Sequence, residues 1–113
     1  MNNWNEYRAD TLKNVGQLGK LVPETLKGTG ALMNAGNKTS HLDTRTRELI
    51  ALACAVTTRC DGCISIHAEA ALKAGVTEEE IAEALGVAVS LNAGGAVVYS
   101  GRVIDAFRQA RDA

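Results

Sequence analysis

The chain has 113 residues, which is enough for one domain of ordinary size and too few for two. Lysine and arginine (12) nearly balance aspartate and glutamate (13), so the charge gives no support to nucleic-acid or membrane-surface binding. Apolar residues make up 46% of the chain but aromatic residues only 4%, so a core must consist mainly of Ala, Val, Leu and Ile, which is typical of packed helices.

The first forty residues predict two helices and a loop. Apolar side chains recur at helical spacing over residues 3–21, and Gly16 and Gly19 are expected to weaken the end of this short first helix. Pro23 suits the first turn of a second helix, where the missing backbone N–H costs nothing. Residues 35–42, AGNKTSHL, have the composition of a loop.

A more apolar helix follows and forms the first arm of a predicted antiparallel pair. Asp43 or Thr44 can cap its N-terminus, and the sequence RTRELIALACAVTTR gives it a wide apolar face. After a tight connection over residues 57–61, the sequence CDGCISIHAEAALKAG predicts the second arm, which ends at Gly75.

The last third of the chain predicts two further helices. Thr77 and Glu80 form a capping box, and the acidic first turn suits the positive end of the helix dipole. Residues 92–95, Asn-Ala-Gly-Gly, are expected to loosen or break the helix before a final one that carries Val97, Val98, Ile104 and Phe107. The elements together predict a single all-α domain of about six helices over residues 1–113.

The central helix pair carries a cysteine pair and a histidine. Cys60 and Cys63 are separated by two residues, and His67 follows Cys63 by one helical turn, on the same face. The reactive form of cysteine is the thiolate, and a helix N-terminus or a neighbouring imidazolium lowers the thiol pKa from about 8.5. Two thiols at this spacing can also close into a disulfide and reopen. The pattern therefore indicates thiol chemistry.

The geometry of the antiparallel helix pair places Glu48 close to the cysteines and His67. With the turn near Thr58, Glu48 lies ten residues before it and His67 nine residues after it, so both reach about the same depth. A buried carboxylate needs a partner, and an imidazole is a suitable one. We therefore expect a relay in which Glu48 orients or protonates His67, and His67 takes the proton of Cys63.

The two cysteines would divide the work. Cys63, in register with His67, would attack a hydroperoxide and become a sulfenic acid. Cys60, nearer the helix start and more exposed, would resolve it into the Cys60–Cys63 disulfide and would be the sulfur that an external dithiol attacks first. Use of the N-terminal cysteine as the nucleophile, as in thioredoxin-type motifs, stays open.

The segment RELIALACAVTTRCDGCISIHAEAALKAGVTEEEIAEAL resembles the core of the carboxymuconolactone decarboxylase superfamily. More closely, it resembles the alkylhydroperoxidase D-like branch, which carries Glu…CxxC…His, and the likeness covers roughly residues 40–100. The resemblance implies an all-helical fold that assembles into homo-oligomers, trimers or hexamers. It also implies thiol-dependent reduction of hydroperoxides, with the disulfide re-reduced by a lipoyl or thioredoxin-like partner and no tightly bound cofactor.

Carried over by residue, the resemblance matches Cys63 to the cysteine that forms the sulfenic acid and Cys60 to its disulfide partner and proton donor. Glu48 and His67 match the proton relay. The best-known members carry a histidine between the two cysteines, where this chain has Asp-Gly. The aspartate adds negative charge beside the first sulfur. This departure motivates a second hypothesis, a redox adaptor or sensor with little peroxidase activity of its own.

Two more hypotheses involve different chemistry. The superfamily also contains lactone-decarboxylating lyases, although that branch lacks the cysteine pair. A zinc-stabilised structural oligomer could take Cys60, Cys63 and His67 as three ligands and His41 or Glu48 as the fourth. This spacing is not one of the usual zinc-finger patterns.

Compartment and assembly follow from the remaining features. The polar N-terminus has no signal-peptide pattern, and no uninterrupted apolar run reaches the roughly 18 residues of a membrane span, so the chain is expected to be soluble and cytoplasmic. In that reducing compartment a cysteine pair is more often redox-active or metal-binding than structural.

Cys54, on the apolar helix face, is expected to be a buried, inert thiol. Long helices with few aromatic residues should leave apolar surface for self-association.

Overall fold

A computed structural model gives the fold of residues 3–113. These residues form helices joined by short loops, and none of them lies in a β-strand. The helices are, in chain order, α1 (Trp4–Leu21), α2 (Pro23–Asn34), α3 (Gly36–Thr39), α4 (Thr44–Thr58), α5 (Asp61–Lys73) and α6 (Glu78–Arg111). The predicted all-α class with about six helices is confirmed, α3 being a single turn. The predicted domain range includes residues 1 and 2, which lie outside the described part of the chain.

α1 and α2 are in contact at the N-terminal end of the molecule. The first helix is longer than expected, because it continues through Gly16 and Gly19 to Leu21. A Cβ atom at Gly19 would lie 3.3 Å from the Leu26 side chain of α2, so the glycine permits a close approach of the two helices. Pro23 occupies the first turn of α2, as predicted.

The predicted loop over residues 35–42 is wrong in its first half, which forms α3. Two hydroxyl groups close this turn: Thr39 Oγ1 donates to the carbonyl of Gly36 (3.2 Å), and Ser40 Oγ donates to the carbonyl of Asn37 (2.7 Å). Serine and threonine readily form such local bonds to the backbone, which is why a polar segment of loop composition can hold a helical turn.

α4 and α5 form the predicted antiparallel pair at the centre of the fold. Asp43 caps α4, because its Oδ1 accepts the backbone N–H of Thr46 at 2.8 Å. Arg59, in the left-handed region (φ 56°), ends α4, and Cys60 already caps α5, so two residues join the helices. Gly75 follows α5 with φ 82°, a conformation that favours glycine and turns the chain toward α6.

The predicted capping box begins α6. Thr77 Oγ1 accepts the N–H of Glu80 (3.1 Å), and Glu80 Oε1 accepts the N–H of Thr77 (3.0 Å). The bond from the Thr77 backbone lowers the pKa of Glu80, and the ion pair with Arg45 of α4 acts in the same direction. The start of α6 is thereby fixed against α4.

The predicted break at residues 92–95 is wrong, because α6 runs without interruption for 34 residues. Asn92 Nδ2 donates to the carbonyl of Ala88 within α6 (2.8 Å) and to Thr57 Oγ1 of α4 (2.9 Å). This side chain therefore joins α6 to α4 instead of competing with the helix. The two glycines that follow cost the helix only about 1 kcal/mol each relative to alanine.

The core is small and lies where α4, α5 and the first turns of α6 meet. Within the described residues, α6 packs on α4 alone, and α1 packs on α5 and α2. The Cα radius of gyration is 18.8 Å, against about 13 Å for a compact domain of this length. The molecule is therefore a central helix pair with two protruding arms, α1–α2 and the end of α6. The core cluster and the side chains packed against it are Leu52, Ala71 and Val76, with Leu49, Ala74 and Ile81.

Candidate active site

The cysteine pair lies at the N-terminus of α5 and is joined as a disulfide. The Cα atoms of Cys60 and Cys63 are 5.2 Å apart, within the range that disulfides span. Cys60 is the N-cap residue, and its Sγ accepts the backbone N–H of Cys63 at 3.1 Å. Both cysteines are half-buried. The chain thus brings the two sulfurs together as the motif predicts.

The position of the sulfurs favours negative charge on them after reduction. The first backbone N–H groups of a helix have no partner within the helix, and the helix dipole places partial positive charge at the same point. Cys60, as the N-cap residue, points its sulfur at these groups. A thiolate formed there would be stabilised by the helix that carries it.

Glu48 of α4 and His67 of α5 form a second pair. Nδ1 of His67 lies 2.7 Å from Oε2 of Glu48, and the two side chains are 35% and 17% exposed. Since a carboxylate accepts, Nδ1–H of the imidazole is the donor, which leaves Nε2 free to accept a proton. The predicted approach of these two residues across the helix pair is confirmed.

The two pairs lie on successive turns of one helix. Cys63 and His67 are four residues apart, a rise of about 6 Å along α5. In this disulfide state the His67 ring bonds to Glu48, while the sulfur of Cys63 is bonded to Cys60. The arrangement suits a base that can exchange a proton with a reduced sulfur one turn away. The catalytic roles of the four residues stay a prediction.

The comparison with known families decides the chain's relationship. The Carboxymuconolactone decarboxylase family matches residues 23–109, which includes both pairs. The chain belongs to the carboxymuconolactone decarboxylase family.

Relatives of this family member span nearly its whole length. An uncharacterised protein of Haemophilus influenzae is 50% identical over 104 residues, 92% of each chain. An uncharacterised protein of Cupriavidus necator is 30% identical over 92 residues, 81% of each. The structure is similar to the crystal structure of a carboxymuconolactone decarboxylase family protein from Legionella pneumophila, with a TM-score of 0.75, 33% identity and coverage of 96% and 97% of the two chains.

Sequence reasoning missed how α1 holds the cysteine-bearing helix of this family member. Arg8 Nη2 lies 2.8 Å from Oε2 of Glu69, and its Nη1 donates to the carbonyl of Ser65 at 3.5 Å. Ser65 is 2% exposed and donates its hydroxyl to the carbonyl of Gly62, while the methyl group of Thr11 lies 3.4 Å from where a Cβ at Gly62 would be. No local sequence signal pairs residues so far apart in the chain.

The expectation for Cys54 is wrong. Its thiol is exposed and borders an apolar cleft of about 400 Å³ between α4 and α6. α4 has apolar residues on more than one face, and α5 covers only the face that carries Leu52 and Ala55. Nothing in the sequence of α4 alone shows which of its faces the chain covers.

The structure gives no support to the zinc hypothesis. Among residues 3–113, no three histidine, cysteine, aspartate or glutamate side chains converge as a ligand set would. His41 lies exposed in the loop between α3 and α4. Cys60, Cys63 and His67 do not form such a group with it.

Proposed function

We propose that the protein is a thiol-dependent hydroperoxide reductase and disulfide oxidoreductase that uses Cys60 and Cys63. The observation that supports this best is the disulfide at the start of α5, with the His67–Glu48 hydrogen bond one turn further along. Membership of the carboxymuconolactone decarboxylase family is compatible with the proposal and sets the fold in which it operates.

The first step oxidises Cys63. The thiol proton passes to Nε2 of His67, whose Nδ1–H stays bonded to Glu48. The Cys63 thiolate attacks a peroxide oxygen, so that an S–O bond forms and the O–O bond breaks. The leaving alkoxide takes the proton from His67 and departs as the alcohol. The sulfur has lost two electrons, and the peroxide has gained them.

The second and third steps restore the dithiol. The sulfur of Cys60 attacks the sulfenic acid of Cys63, the S–S bond forms, and the hydroxyl group leaves as water with the proton of the Cys60 thiol. An external dithiol, lipoyl or thioredoxin-like, then attacks the disulfide, passes through a mixed disulfide, and leaves oxidised. Cys60, at the helix start, is the sulfur we assign to that attack.

The deciding experiment counts free thiols in a Cys54→Ser background, so that only the pair is measured. We expect two thiols in the reduced protein, none after one equivalent of cumene hydroperoxide, and two again after dihydrolipoamide. Cys60→Ser should trap a dimedone-reactive sulfenic acid on Cys63, whereas Cys63→Ser should consume no peroxide. Thiols that stay open to alkylation after peroxide treatment would rule out the peroxidase function.

A redox adaptor is the second candidate, and Asp61 is the observation that favours it. Asp61 is exposed at the first position of α5, next to Cys60, and its carboxylate opposes negative charge on that sulfur. An adaptor would exchange rapidly with a lipoyl disulfide while consuming peroxide slowly. Asp61→Asn should then raise the peroxide rate, with Asp105→Asn on the distant part of α6 as the control for a charge change alone.

We further propose that the protein works as a soluble homo-oligomer in the cytoplasm. A cytoplasmic location would supply the reducing partners that the cycle needs. The apolar surface of α1, α2 and α6 supports assembly. Large exposed apolar side chains on these helices include Leu18, Leu21, Leu32, Met33, Val103 and Phe107.

A further inference from the structure

The second half of α6 has no partner within the described part of the chain. Asn92 makes the last side-chain bond from α6 to α4, and every residue from 93 to 113 is exposed. Since α6 packs on α4 alone among the described residues, about five turns of helix extend from the body uncovered. An isolated apolar helix end is poorly stable in water, so a second surface must cover it.

The uncovered segment carries a regular apolar stripe. Its positions are separated by four, three, four, three and four residues, the spacing of the contact positions in a coiled coil. The large members at the two ends of the stripe are 69%, 66% and 64% exposed, and the middle members are small. The stripe consists of Val89, Ala93, Ala96, Ser100, Val103 and Phe107.

The composition of α6 alone would also fit a membrane helix. An 18-residue window within it has a mean hydropathy of 1.6, and only 6% of that window is buried. The stripe, however, continues to Phe107 through turns whose other faces carry Arg102, Asp105 and Arg108. A helix in contact with lipid is apolar all round, whereas these last turns are apolar on one face and fit another protein surface.

We propose that the stripe on α6 packs against the same stripe of a second copy of this chain, with the two helices antiparallel. Charge supports the orientation. Residues 78–92 contain four glutamates and no basic residue, a charge of −4, whereas residues 93–111 contain three arginines and one aspartate, a charge of +2. Antiparallel pairing places the acidic half of each helix beside the basic half of the other, whereas parallel pairing places like charges together.

The size of the side chains supports the same arrangement. The middle of α6 falls between residues 94 and 95, and the stripe positions on either side of it are Ala93 and Ala96. Two helices crossing there could approach to about 8 Å, the lower end of helix packing distances. Because such a pair has two-fold symmetry, it occurs in a dimer or in a hexamer of three pairs, but not in a trimer alone. This inference rests on the proposed homo-oligomer, of which it names one interface, and it does not depend on the proposed redox activity.

The interface is tested by a matched pair of valine substitutions on opposite faces. Val103 lies in the stripe and Val98 lies on the other face, 66% and 80% exposed. In analytical ultracentrifugation at micromolar concentration, Val103→Glu should halve the assembly mass while Val98→Glu keeps the wild-type mass. An unchanged mass for Val103→Glu, a monomeric wild type, or wild-type protein that co-sediments with phosphatidylcholine vesicles would overturn the proposal.

The orientation is tested without touching the stripe. A spin label is placed at Gln109→Cys in Cys54→Ser protein with the Cys60–Cys63 disulfide kept oxidised. Antiparallel helices centred between residues 94 and 95 put the two labels about 44 Å apart along the axis, whereas parallel helices put them roughly 10 Å apart. This measurement also decides the proposal if Val103→Glu fails to fold: a long distance supports it, and a short distance or the absence of any pair distance contradicts it.

Discussion

The imidazole of His67 can serve as a base only while its ring is held in one orientation and one tautomer. The 2.7 Å bond to Glu48 provides both, since Nδ1–H is committed to the carboxylate and Nε2 stays free. In the proposed reaction Glu48 acts through His67 as a positioning residue, so its removal should affect the rate more than the fold.

Glu48→Gln should slow oxidation of the reduced cysteine pair by cumene hydroperoxide roughly 10-fold, because the amide keeps the size of the side chain but not its charge. His67→Gln removes the base itself and should cost about 100-fold or more. Stopped-flow thiol oxidation at several pH values measures both, with Glu83→Gln, exposed on α6, as the matched control. A Glu48→Gln rate and pH profile equal to those of the control would contradict the relay.

The contact between Glu48 and His67 could be predicted from the sequence because the two residues lie close together in the chain. Glu48 and His67 lie on two helices joined by two residues, so helical rise alone predicts that they meet. The contact of Arg8 with Glu69 joins parts of the chain sixty-one residues apart and has no such rule. The prediction that Cys54 is buried was wrong for a related reason: the sequence shows that a helix face is apolar, but not what covers it.

At the scale of elements, helix starts were predicted well and helix interruptions poorly. Asp43, Pro23 and the Thr77–Glu80 box act through atoms within three residues of the helix start, so the sequence contains the whole interaction. The expected break at residues 92–95 was wrong because Asn92 bonds to Thr57, a contact between helices. Local propensity costs about 1 kcal/mol per glycine and is readily overridden.

The capping box makes a prediction about pH. Folding lowers the pKa of Glu80, chiefly through the N–H of Thr77 and further through Arg45, so the charged carboxylate stabilises the folded chain. That contribution is complete above the unfolded pKa and is lost as pH falls through the lower, folded pKa. Glu80→Ala should therefore lower the urea midpoint at pH 7 and have little effect at pH 3.

The neighbouring glutamate supplies the control for this measurement. Glu79 lies in the same first turn and is exposed, and Glu79→Ala should leave both midpoints nearly unchanged. Thr77→Ala, which removes the other half of the box, should cost about 1 kcal/mol at pH 7. Equal effects of Glu80→Ala at the two pH values would show that its charge does not contribute.

At the scale of the whole molecule, the core of the described residues is small. Among the described residues, five apolar ones are buried, three of them alanines: Leu52, Ala55, Ala71, Val76 and Ala88. A compact chain of this length has a radius of gyration near about 13 Å, and this one measures 18.8 Å. Because such a core offsets only part of the conformational entropy lost on folding, we expect the proposed contacts between copies to contribute to stability.

Stability should therefore depend on protein concentration. When folding and association are coupled, mass action favours the folded assembly, and each tenfold rise in concentration should raise the urea midpoint. Val103→Glu should lower the midpoint and weaken its dependence on concentration, whereas Val98→Glu should keep the wild-type dependence. Urea denaturation is followed by circular dichroism at protein concentrations from about 1 to about 100 µM, a range wide enough to show the shift of the midpoint. A wild-type midpoint that does not move would mean that the isolated chain is stable with both arms uncovered, and the apolar stripe on α6 would then require a partner other than a second copy.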